Sequence, residues 1–142
     1  MVPATGTLLP ATAITEVFAT TETVLLVEED GPTRNLARVI LEKSGYGVLE
    51  VESERECLAA CAEHQGPIHL LITDVGTPEE VGGIELAKRS LKLRPDLKVL
   101  FVSLHPQEEV FADGPLPGAF LQRPFAAVGL VEKVRETLDR AQ

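Results

Sequence analysis

Tryptophan is absent from this chain of 142 residues, and tyrosine and methionine occur once each. Aromatic residues make up only 4% of it, so the 44% that is hydrophobic is mainly aliphatic. Positive charge is scarce: 13 Lys and Arg stand against 22 Asp and Glu, a formal net charge of −9. A nucleic-acid surface needs clustered Lys and Arg, so no direct nucleic-acid partner is expected. No apolar run approaches the ~18 residues that mark a membrane helix. The opening residues also lack the Lys/Arg start and continuous apolar stretch of a secretory signal. A cytoplasmic protein that does not span a membrane is the expectation. Cysteine is limited to Cys57 and Cys61. Four residues apart, they share one helix face, where side chains run side by side instead of meeting for a disulfide. With His64 they make three soft ligands within a turn and a half, which argues for small buried side chains over a metal site.

What is present starts with length. A chain of this size makes one domain with a real core, and 25% charged residues is ordinary for a globular protein. Residues 1–22 are rich in Thr, Ala and Pro and read as a flexible leader or linker ahead of a domain over 23–142. Thr23–Val27 is an apolar strand. Gly31-Pro32 opens a helix with Pro where its missing N–H does no harm; Leu36, Val39 and Ile40 face inward and Gly45 ends it. Tyr46–Val51 is the second strand. Ser53 and Glu56 form a capping box for a helix to about Gln65, which Gly66-Pro67 stops.

Ile68–Thr73 is a run of mostly branched apolar residues, the pattern of a strand buried on both faces. Asp74 follows it, then a Gly76/Pro78 turn. A third helix begins near Gly83, with Ile84, Ala87 and Leu91 buried and Pro95 beyond its end. Leu97–Val102 is a fourth strand, closing on Ser103. Proline and glycine crowd residues 104–118, leaving at best a short helix over Gln107–Ala112. Ala119–Gln122 is a fifth strand before Arg123-Pro124. A last helix to about Arg140 turns Val128, Val131, Val134 and Leu138 inward.

Strands alternating with helices imply parallel βα units with right-handed crossovers. Such sheets place their sites outside the C-terminal strand ends. Glu28, Glu29, Asp74, Ser103 and Arg123 all lie at or just past such ends. If the first and third strands are neighbours, their acids share one small site. Like charges so close raise one another's pKa unless a cation joins them. The arrangement therefore predicts a hard-metal site beside a potentially nucleophilic Asp74.

The pieces VLLVEED, LLITDVGTP, VLFVSLH and FLQRPF, in that order and spacing, resemble the receiver domain of two-component response regulators. LRPDLKVLFVS with FLQRPF further resembles receivers attached to hybrid sensor kinases. The resemblance runs from about Thr23 to the C-terminus. It implies a flavodoxin-like doubly wound sheet of five parallel strands in the order 2-1-3-4-5, with a weak or shortened fourth helix. It also implies that Asp74 is the phospho-acceptor, and that Glu28, Glu29, Asp74 and the Gly76 carbonyl hold Mg²⁺ or Mn²⁺. Ser103 then hydrogen-bonds the phosphoryl group, Phe120 is the switch aromatic, and Arg123 takes the place of a lysine. The Arg123–Pro124 peptide is expected cis. The implied partner is a histidine kinase or histidine phosphotransfer protein, with a weak homodimer as a further expectation. Such a domain is a switch and not an enzyme, apart from its own phosphorylation and dephosphorylation.

Three departures from the pattern bear on this. Glu29 stands where Asp is usual, and Mg²⁺ demands near-ideal octahedral geometry. A shifted register would use Glu29-Asp30 instead, but Pro32 and Arg34 fit without the shift. Arg123 offers a planar fork in place of a compact ammonium. The loop after Asp74, ending EEVGG, is one residue longer than usual, and 104–118 is shortened. A degenerate receiver that acts as a phosphorylation-independent interaction module is the alternative. A flavin or nucleotide enzyme on the same fold is disfavoured, because EEDGPT places acids where a phosphate cradle needs glycine and free N–H groups. His64, His69 and His105 read as ordinary, although His105 borders the site.

Overall fold

The computed structural model describes residues 22–75, 82–110, 112, 114–115 and 117–140. The expected leader therefore lies outside the described residues, apart from Glu22. Ten elements alternate in chain order: β1 (Thr23–Val27), α1 (Gly31–Lys43), β2 (Gly47–Val51), α2 (Glu54–Glu63), β3 (Leu70–Asp74), α3 (Gly82–Leu93), β4 (Lys98–Ser103), α4 (Gln107–Val110), β5 (Ala119–Gln122) and α5 (Ala127–Asp139). The five strands form one parallel sheet in the order β2-β1-β3-β4-β5, the expected doubly wound arrangement. Leu70–Thr73 are buried and Asp74 emerges at the strand's last position. Three strands start a residue or two later than their apolar patterns suggest, because Tyr46, Ile68 and Leu97 pack into the core without joining the ladder.

Alternation of side chains across the strands divides the core in two. Leu25, Leu71 and Phe101 face α2 and α3 with Cys57 and Leu86. Leu26, Ile72 and Leu100 face α1 and α5 with Leu41 and Val134. Local signals agree at the helix starts. Asp30 caps α1 by accepting from the Thr33 N–H at 2.9 Å. Ser53 accepts from the Glu56 N–H at 3.2 Å, while Glu56 reaches back to the Glu52 N–H at 2.9 Å. Both cysteines are free and buried, as their spacing implies.

Two helix faces differ from the sequence reading. In α1 Ile40 meets the core as expected, joined by Ala37 and Leu41, but Leu36 is 62% exposed. In α5 Val128 is 64% exposed and Val131 half-buried, while Leu130, Val134 and Thr137 are buried. Both stripes keep the helical spacing of three and four residues and retain Ile40, Val134 and Leu138, but they turn Leu36 and Val128 out of the core. Thr137 is tolerated inside because its hydroxyl donates to the Lys133 carbonyl at 2.6 Å. The short α4 is described over Gln107–Val110, and Val110 anchors it in the core; residue 111 of the expected helix lies outside the described residues.

Candidate functional site

Sheet order decides which chain segments meet. Val27 pairs with Thr73, so Glu28 and Glu29 leave β1 beside Asp74 at the end of β3. Asp74 pairs with Val102 across to β4, and Ser103 pairs with Gln122 across to β5. The Arg123 N–H then donates to the Ser103 carbonyl at 2.7 Å. Glu28, Glu29 and Asp74 line one cavity of about 330 Å³ at these strand ends. Its far wall is Glu52, Ser53 and Glu54 from the turn into α2.

Within the site the charges are unequally exposed. The Asp74 carboxylate is 58% exposed, against 11% for Glu28 and 24% for Arg123. Arg123 Nη2 donates to Glu28 Oε1 at 2.7 Å, and Nη1 lies 3.7 Å from Asp74 Oδ1. The other oxygen of Glu28, Oε2, accepts from the Asp30 N–H at 3.0 Å. One guanidinium therefore spans the two strand ends, hydrogen-bonded to the first acid and ion-paired with the second. Glu29 is exposed.

The hard oxygen donors facing this cavity fit Mg²⁺ or Mn²⁺ in chemical character. Their arrangement does not: among the described residues no three His, Cys, Asp or Glu side chains converge closely enough to hold a metal. Gly76, whose carbonyl was the fourth expected ligand, lies outside the described residues, as does most of the loop before α3. Asp30, the acid of the alternative register, serves as the cap of α1 in the structure. Thr33 claims that carboxylate with both its hydroxyl and its amide, and these bonds hold the Asp30 pKa below the usual carboxylate range.

Ser103 is fully buried, and its Oγ accepts from the His105 N–H at 3.0 Å. His105 Nδ1 lies 4.0 Å from Glu109 Oε1, on α4. Phe120 is half-buried against the core of the α2–α3 side, in register with Phe101. The Arg123–Pro124 peptide is cis, as expected.

Three supporting residues were not singled out from the sequence for what they do here. A Cβ on Gly83 would lie 2.0 Å from the Asp74 carbonyl oxygen, so α3 packs its first turn directly on the site's backbone. The Gly-Gly pair opening that helix was the available signal. Arg34 donates from Nη1 to the Glu28 carbonyl at 2.8 Å and from Nε to Glu50 at 3.1 Å, fixing the turn that carries Glu28. Arg94 donates to the carbonyls of Cys61, His64 and Gly66 at 2.8, 2.7 and 2.7 Å, closing the end of α2. Nothing local in the sequence announces those long-range bonds.

The model of the response regulator receiver domain family matches residues 24–135. The chain is 34% identical over 121 residues to the response regulator receiver protein CpdR of Brucella abortus, covering 81% of this chain and 95% of that protein. It is 32% identical over 120 residues to the sensor kinase CckA of the same organism, covering 83% of this chain and 13% of that kinase. Among solved structures, the receiver domain of the hybrid histidine kinase CckA superposes with a TM-score of 0.66 at 30% identity, covering 82% of this chain and 99% of that one. A CheY-like receiver domain from Methanospirillum hungatei gives 0.70 at 29%, covering 84% and 95%.

Proposed function

Because the chain belongs to the response regulator receiver family of two-component signalling, we propose that Asp74 accepts a phosphoryl group from the phosphohistidine of a histidine kinase or histidine phosphotransfer protein. The family is one of signalling domains and not of classical enzymes. The observation that carries the proposal is the position of Asp74. It ends the central strand, is more than half exposed, and shares one guanidinium with a second acid. A carboxylate in that position can attack phosphorus directly and form an acyl phosphate.

Phosphoryl transfer asks little of the protein beyond alignment and charge neutralisation. Arg123 stands where its fork can pair with phosphoryl oxygens. Ser103 can donate its hydroxyl proton while its Oγ keeps the His105 N–H. Glu28, Glu29 and Asp74 would hold a divalent cation only if their side chains moved closer together, and the cation would then add positive charge at the same oxygens. No helix among the described residues is long and apolar enough to cross a membrane. The net charge of −9 supports protein partners over nucleic acid.

Incubation with acetyl phosphate and Mg²⁺ tests this by intact mass. Wild type should gain one acid-stable, base-labile phosphoryl group, and Asp74→Asn none. One observation favours a second reading, the degenerate interaction module: the Arg123–Glu28 bond engages an acid that the resemblance assigns to the metal. An unmodified wild type beside a modified Arg123→Lys variant would move the assignment there.

A further inference from the structure

We propose that the cavity enclosed by the sheet, α1 and α5 binds a small uncharged aromatic molecule, a single ring carrying at most one hydrogen-bond acceptor. The cavity has a volume of about 220 Å³. Its floor is one face of the sheet, where Leu26, Ile72 and Val102 project from β1, β3 and β4. Ile40 of α1 and Leu130 of α5 form its sides. Leu26, Ile72, Val102 and Leu130 are 4%, 4%, 2% and 2% exposed, so the deep part is sheltered from bulk water. The inference stands apart from the phosphorylation reading, because Asp74 is not part of the lining.

Size and polarity together select the ligand. Apolar cavities of ~150 Å³ accept benzene, so this one has room for a ring with a short substituent. Three polar side chains reach the lining, Glu28, Thr33 and Arg123, and each already has a partner. Glu28 holds Arg123 at 2.7 Å and the Asp30 N–H at 3.0 Å, and the Thr33 hydroxyl donates to Asp30 at 2.5 Å. A cationic ligand would leave water for aliphatic walls, with its one carboxylate partner already paired. An anionic ligand would be the third on a single guanidinium, which Glu28 and Asp74 already share. A neutral ring meets neither penalty. A guanidinium carries five N–H donors, so Arg123 can also offer one to a carbonyl on the ring's substituent.

Methyl NMR on the whole chain tests this, with ethylbenzene, acetophenone and benzoate as the probes. Ethylbenzene and acetophenone should shift the Leu26, Ile40, Ile72 and Leu130 methyls saturably. Their dissociation constants should be ~1 mM or lower, the scale open to ligands of about eight or nine non-hydrogen atoms. Benzoate, the same ring with a charge, should bind about tenfold more weakly or not at all. Ala37→Leu directs a branched side chain into the cavity and should weaken ethylbenzene about tenfold, with a urea midpoint near that of wild type. The comparison of the three probes on wild type decides the matter even if that variant folds poorly. Shifts confined to the exposed Leu36 and Val128 would place the ligand on the outer helix faces and overturn the site. No saturable shift with either neutral probe, benzoate binding as tightly as ethylbenzene, or a well-folded Ala37→Leu binding as wild type does would each overturn it too.

Discussion

Replacing Gly83 by alanine sets two effects of known size against each other. Alanine is the better helix former by up to ~1 kcal/mol in a helix interior, and by less in a first turn. Against that, the new Cβ would lie 2.0 Å from the Asp74 oxygen, 3.1 Å from its carbonyl carbon and 3.3 Å from the Val75 Cα. All three are backbone atoms at the end of a buried strand, and none can rotate away. Either α3 or the end of β3 must move by about 1 Å or more, and overpacking of this kind costs ~1–3 kcal/mol. The steric term wins, and the net loss should be ~1–2 kcal/mol. Gly82→Ala is the matched control, because there the Cβ meets only Glu54 Oε2, at 2.9 Å, the far end of a flexible side chain. Urea unfolding followed by circular dichroism should give a lower midpoint for Gly83→Ala at unchanged m, and a midpoint for Gly82→Ala at or above wild type. Phosphorylation by acetyl phosphate should also slow in Gly83→Ala, since the displaced carbonyl belongs to Asp74. If Gly83→Ala proves as stable as Gly82→Ala, the reasoning about this contact is wrong.

Arg94→Ala should cost ~2–3 kcal/mol in urea unfolding, because two of the three carbonyls it satisfies are partly buried and bonds to charged groups are the strong ones. Arg94→Lys should restore only part of this, and a loss under ~1 kcal/mol for Arg94→Ala would mean that water replaces the guanidinium freely. Tyr46 is the sole tyrosine, so phenolate absorbance reads it directly. Burial is the main force raising its pKa above the usual value, with Glu22 adding to it and Arg135 opposing. The midpoint in the native protein should therefore lie above ~10. The raised pKa contributes stability that is complete below that pH and lost as pH climbs through the folded value. Tyr46→Phe should flatten that part of the alkaline decline, and a native midpoint at or below ~10 refutes the account.

Much of the fold was legible because its signals are local and periodic. The branched run before Asp74, the Ser53–Glu56 capping box and the Gly31-Pro32 start each name an element without reference to any other. The inward faces of α1 and α5 were less legible. Leu36 and Val128 are apolar and correctly spaced for a core stripe, yet both stand in solvent. Apolar residues on a helix permit two or three adjacent stripes, and the sheet selects among them by where its own side chains project. The neighbours of Leu36 settle the point: it lines the cavity between α1 and α5, about 220 Å³, and does not fill it.

The candidate site divides along the same line. That Glu28, Glu29, Asp74, Ser103 and Arg123 gather at one edge follows from strand order, and strand order follows from alternating elements. Which acid Arg123 holds does not follow. The resemblance puts Arg123 in the place of a lysine and assigns Glu28 to an expected metal, without saying which acid the guanidinium meets. In the folded chain the closer contact is with Glu28, because that carboxylate is the more withdrawn from water and so has more to gain from a cation. Asp74, with more than half its side chain in solvent, is the looser partner. A long cationic side chain among several acids settles where desolvation is greatest, and desolvation belongs to the packed structure. The same ranking bears on the proposed function: the arginine's hydrogen bond goes to Glu28, and the proposed phospho-acceptor Asp74 is the more exposed of the two acids.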